Sequence, residues 1–149
     1  MAGAHAYDAY RRVDIETASQ GKLIVMLFSG AITRAEEAKK ALESSDKAKV
    51  HEKLIRAQDI MAELRSALNM DAGELSDNLD RVYEYVHHLL VQANLRKEVL
   101  PIEQALKILV DMRNTWRDLF EKVAADQAGE PASAPRINPH GASVMNIEG

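Results

Sequence analysis

Val50, Leu54, Ala57, Met61, Leu64 and Leu68 stand at alternating steps of four and three residues. Leu75, Leu79, Val82, Val86, Leu89 and Ala93 repeat the alternation in the next segment. Ile102, Ala105, Leu109, Met112, Trp116, Leu119 and Val123 carry it into a third. Steps of four and three keep apolar side chains on one stripe of a helix, turned to a near-parallel or antiparallel partner. Three such stripes cannot be buried singly, so the chain must pack helix on helix.

A further helix precedes these three. Ile24, Leu27, Phe28, Ala31, Ala35, Ala38 and Leu42 are spaced by one, three and four, and Leu23, Met26 and Ile32 widen the apolar face toward a second neighbour. By length alone Leu23–Phe28 suits a buried strand; the period continuing through Ala38 decides for a helix. Ser19 is the expected N-cap, and residues 1–17, with Tyr7, Tyr10, Val13 and Ile15 on no helical stripe, read as an extended or loosely helical arm. Asp46 is the expected cap of the second helix. Gly73 is expected to stop it in the left-handed conformation. Pro101 suits the first position of the last helix, and Arg117 and Lys122 suit its negative end. From Asp126 onward Gly129, Pro131, Pro135, Pro139 and Gly141 break every period. The expected fold is all-α: an antiparallel up-and-down four-helix bundle over residues 18–125, between the arm and a disordered tail at 126–149.

Composition supports one domain and narrows its chemistry. A chain of 149 residues buries roughly two-thirds of its unfolded surface, so the bundle needs no metal or disulfide. With aromatics at 5%, the core must come from Leu, Ile, Val, Met and Ala. There is no cysteine, which removes disulfides and thiolate ligands. Acidic residues outnumber basic ones 23 to 19 without a basic stripe, against a nucleic-acid backbone binder. The longest apolar run, Leu23–Phe28, is too short for membrane insertion. The N-terminus has charges at Asp8, Arg11, Arg12, Asp14 and Glu16 and no apolar stretch of a secretory signal, so the cytosol is the expected location.

Catalytic constellations are not found. Glu84-Tyr85-Val86-His87 is one Glu-x-x-His of a di-iron site, but the second is missing: Ala48 stands three before His51 and Tyr85 three before His88. No cofactor or metal is expected. A histidine phosphotransfer bundle would use an exposed His87 or His88; against it, Leu89, Leu90 and Val91 follow, with no cation before Arg96. No Gly-x-Ser-x-Gly elbow or phosphate loop occurs. Surface recognition remains. Tyr83, Leu90 and Asn94 form a second stripe on the third helix, and this surplus is either more core or a groove for an amphipathic helix.

Ordered pieces of the chain resemble the flagellin-specific export chaperones, the FliS family. They are Tyr10, Thr17-Ala18-Ser19, Leu23, Leu27, Gly30-Ala31, His51-Glu52-Lys53-Leu54, Ala57-Gln58-Asp59-Ile60, Gly73-Glu74, Asn78-Leu79, Tyr83, Ala93-Asn94, Pro101-Ile102-Glu103 and Arg113-Asn114-Thr115-Trp116. Gln20 stands where the family often has Pro, and Phe28-Ser29 where it has Tyr-Asp. The resemblance implies a cytosolic chaperone, not an enzyme. Its implied client is flagellin's C-terminal segment, kept from premature polymerisation and ready for the flagellar type III export apparatus. A helical adaptor for another client is the alternative within the same fold, and a co-chaperone or regulator is a further partner the resemblance leaves open. The implied client-binding residues are Tyr10 and Ile15, on an arm that lies over part of the groove, with Leu64, Leu68, Leu90, Ile108 and Met112 in the groove. The arm also reads as a clasp for stability, and each groove residue also reads as core. Asn94 either satisfies a partner's backbone or bonds a neighbouring helix.

Overall fold

The computed structural model describes the backbone of residues 2–68 and 73–129, and the side chains of 20–68 and 73–127. Four helices account for nearly all of it: α1 (Ala2–Glu43), α2 (Lys47–Ser66), α3 (Glu74–Arg96) and α4 (Val99–Gly129). Among the described residues there is no strand. The fold is the expected all-α, up-and-down four-helix bundle.

Paired contacts give the directions of the helices. Along α1, Gly30 faces Ile60 of α2, and Glu37 pairs with Lys53 at 3.4 Å. Rising numbers meet falling ones, so α1 and α2 are antiparallel. Gly21 against Phe120 and Lys39 against Glu103 (3.1 Å) say the same for α1 and α4. Arg65–Asp80 (2.8 Å) and His51–Asn94 (2.9 Å) say it for α2 and α3. α1 and α3 each lie beside both α2 and α4, which closes a four-sided bundle.

The centre is filled by Phe28, Leu54, Met61, Leu64, Leu90, Ile102 and Leu109, with alanines where helices approach closely. Phe28 of α1 meets the edge of Tyr83 of α3 across the bundle, centroids 5.9 Å apart. Gly21 allows a tight join of α1 to α4, because a Cβ there would stand 3.0 Å from the Phe120 ring.

Local signals were partly as expected. Asp46 caps α2, its carboxylate accepting from the Lys49 N–H at 3.1 Å. Gly73 does hold a positive φ of 86°, but it precedes α3 instead of stopping α2, which ends at Ser66. Residues 69–72 lie outside the described residues. α3 closes on Lys97 in the left-handed conformation (φ 54°). A non-glycine residue there costs about 1–2 kcal/mol, and the Lys97 Nζ offsets it by donating to the backbone and side-chain oxygens of Asn94, each at 2.7 Å.

Three expectations need correction. Ser19 is not an N-cap: α1 is continuous from Ala2, so the backbone of residues 2–17 is regular helix. Five alanines (2, 4, 6, 9 and 18) and no proline precede residue 19. Extending an existing helix adds one hydrogen bond per residue fixed, without a new nucleation cost. Pro101 lies in the first turn of α4 rather than at its first residue, since α4 opens at Val99. Finally, α4 runs on to Gly129, so Arg117 and Lys122 lie short of its last turn, and 126–129 are helical. The rest of the expected tail lies outside the described residues.

Candidate functional site

Three of the four seams between neighbouring helices are crossed by ion pairs. Lys53–Glu37 crosses α1/α2, Lys39–Glu103 crosses α1/α4, and Arg65 reaches both Asp80 and Glu84 across α2/α3. These pairs set the local electrostatics. Hydrogen bonds from Arg65 hold the Asp80 carboxyl below the usual carboxylate range. Burial pushes Glu37 upward, but bonds from Arg34 and Lys53 outweigh it and leave that carboxyl lowered as well. Among the described residues no ion pair crosses α3/α4.

That fourth seam is apolar on its outer side. Leu106 of α4 lines a polar hollow with Thr33, Glu36 and Lys40 of α1. Ile108 is two residues further, about 200° round the helix, and therefore turns to the α3 flank. Met112 and Leu119 continue that flank at helical spacing; all three are half-buried against the core. On α3, Asp80 and Glu84 face α2, which turns Val82 to α4, while Tyr85 lies between that flank and solvent. Val82 is half-buried and Tyr85 is 51% exposed. Beneath the seam Tyr83 is buried, and burial pushes its hydroxyl up to about 12, opposed by the hydrogen bond it shares with Trp116. Trp116 stacks on Phe120 at 5.7 Å.

The expected site residues divide accordingly. Ile108 and Met112 share this seam, one turn apart. Leu68, at the end of α2, is half-buried. Leu64 and Leu90 lie in the bundle centre, 2% and 0% exposed. Of the second stripe of α3, Tyr83 and Leu90 are buried and Asn94 is half-buried, while Leu75 of the first stripe is exposed. Asn94 bonds His51 of α2 and accepts from Lys97, the neighbour-bonding reading. Tyr10 and Ile15 lie on α1, with side chains outside the described residues. The sequence placed Val82 on an apolar stripe of α3 and did not single out Tyr85 for a surface role.

Glu84 is committed to Arg65, and among the described residues no group of three His, Asp or Glu side chains suits a metal ion. His87 is half-buried, and the exposed His88 is followed by Leu89 and Leu90, both core. Among the described residues no helix is long and apolar enough to cross a membrane.

A sequence model of the flagellar protein FliS matches residues 3–123, from the first turn of α1 to near the end of α4. The chain belongs to the FliS family. Its similarity to curated relatives extends over most of both chains. The flagellar secretion chaperone FliS of Bacillus subtilis is 32% identical over 129 residues, 87% of this chain and 96% of that protein. The namesakes from Vibrio cholerae and Salmonella typhimurium are each 31% identical, covering 81% and 86% of this chain and 95% and 99% of theirs. The family thus brings the role of flagellar secretion chaperone to a bundle whose α3/α4 seam, among the described residues, no ion pair crosses.

Proposed function

We propose that this protein is a cytosolic chaperone for a flagellin, that it binds the flagellin's C-terminal segment, and that it acts by binding alone. The observation that carries the reading is the family match over residues 3–123, which takes in all four helices. Covering the segment keeps flagellin from polymerising early and leaves it ready for the flagellar type III export apparatus. A regulator or co-chaperone would compete for, or share, the same surface.

Physical chemistry favours a particular place for the client. A segment that orders on binding needs apolar burial to offset its lost conformational entropy. The α3/α4 seam supplies it through Tyr85, Val82, Ile108, Met112 and Leu119, with no ion pair across it among the described residues. An amphipathic helix laid along it needs no opening of the core. Leu68 extends the apolar surface at the end of α2. Tyr10 and Ile15, on the N-terminal part of α1, are the residues we assign to guarding the client site.

Capture experiments with full-length flagellin and with flagellin lacking its C-terminal segment test the function. Capture of the first and loss of the second is the expected outcome. Equal capture of both overturns the reading and favours an adaptor for another client.

A further inference from the structure

Asn94 joins α2 to the end of α3 through one carboxamide. Its Oδ1 accepts from the Lys97 ammonium at 2.7 Å, and the same ammonium donates to the Asn94 backbone oxygen at 2.7 Å. Its Nδ2 lies 2.9 Å from His51 Nδ1 on α2. An ammonium has donors only. The oxygen of Asn94 must therefore face Lys97, and its NH2 must face His51. His51 Nδ1 can then only accept, so the ring carries its proton on Nε2. A doubly protonated ring would set N–H against N–H, and flipping the carboxamide to relieve this would set NH2 against the Lys97 ammonium. Neither orientation of Asn94 suits a charged His51.

We infer that Lys97, Asn94 and His51 form a protonation-sensitive latch between α2 and the end of α3, closed with His51 neutral and released when His51 is charged. Lys97 is the residue that makes the latch one-way, and it is also the left-handed residue that ends α3. The backbone N–H groups of Lys97 and Glu98 both turn back to the Ala93 oxygen. Release of the Asn94 side chain removes one of the two contacts that offset the strained Lys97 backbone. The turn that loosens is flanked by the exposed Leu95 of α3 and Val99 and Leu100 of α4.

The charged surroundings of His51 are few. On α2, Lys47 stands one turn before it and Glu52 beside it, while Asp46 is engaged by the Lys49 N–H. From α3 and its turn come Lys97, Arg96 and Glu98, with His87 two turns before Asn94. From α1, Glu37 pairs with Lys53, about 200° round α2 from His51, and Lys40 and Glu43 line the hollow beside Leu106. No carboxylate is bonded to His51 among the described residues.

Nitrogen NMR on histidine-labelled full-length protein, with amide exchange at Lys97 and Glu98, tests the latch. Histidine side chains as a class change charge between about pH 8 and about pH 5. At the upper value His51 should be the Nε2–H tautomer. At the lower, exchange of the two amides, corrected for intrinsic rates, should quicken about fivefold, the population change one net hydrogen bond commands. Asn94→Asp should reverse the tautomer, because its carboxylate takes both an Nδ1–H and the ammonium. His51→Ala should remove the pH response and leave the responses of the other histidines. An Nδ1–H tautomer in the unaltered protein, or corrected exchange with the same pH response in the unaltered protein and in His51→Ala, overturns the proposal.

Discussion

Arg65 holds two carboxylates of α3 from one position on α2, accepting the cost of ordering a long side chain for bonds of 2.8 and 3.1 Å to Asp80. Because Asp80 is lowered in the fold, its contribution is present above the ordinary carboxylate range and lost as pH falls through its folded value. Asp80→Asn should therefore flatten the fall in melting temperature in acid and cost little more than about 1 kcal/mol near neutrality, since the pair is partly exposed. An unaltered acid profile in thermal melts would exclude the pair as a source of acid sensitivity. Residue-scale features were legible when their cause was local. Asp46 could be read as a cap because its carboxylate bonds an N–H three residues on. Lys97 could not, because the bonds that permit its left-handed backbone exist only once Asn94 is placed.

At the scale of the element, α3 shows what periodicity leaves open. Two stripes run along it, the 4/3 series from Leu75 to Ala93 and the shorter Tyr83, Leu90 and Asn94. How much of each faces inward depends on where α2 and α4 lie, and the packed helix buries members of both: Ser76, Tyr83, Val86, Leu89, Leu90 and Ala93. The rotation that takes Leu90 inward carries Leu75 and Tyr85 outward. Leu64 and Leu90 of the expected groove are therefore buried, while Leu68, Ile108 and Met112 are half-buried. Tyr85→Ala should lower client affinity about tenfold, as loss of an aromatic anchor does, with stability changed by no more than about 0.5 kcal/mol. Isothermal titration with a flagellin C-terminal peptide, beside a thermal melt, checks this. Full affinity in the folded variant would move the client off the seam. Leu90→Ala should behave oppositely, losing about 2–5 kcal/mol of stability by leaving a cavity.

The whole molecule is set by unequal helix lengths. At about 1.5 Å per residue, the 42 residues of α1 make a rod twice as long as the 20 of α2. With Gly30 level with Ile60 and Glu37 with Lys53, the end of α2 falls opposite Ile24. The N-terminal half of α1 thus runs past α2, with α4 alongside at Gly21 and Phe120. Bundle topology was legible because four apolar stripes and short connections leave few arrangements; the overshoot was not, since polar residues 2–17 give no stripe to follow. Tyr10→Ala, on this overshooting segment, should change client affinity more than melting temperature. The reverse result, a lower melting temperature with affinity intact, would make the segment a clasp.

The chain's lone tryptophan stands at the join of these parts. Trp116 is 6% exposed, stacks on the Phe120 that covers Gly21, and shares a hydrogen bond with Tyr83 under the apolar seam. Its emission is a native gauge with a single source, read without a label. A lifting of α1 from α4 and a ligand settling along α3 and α4 both reach the same indole, one by uncovering it and the other by shifting its hydrogen-bonded neighbour.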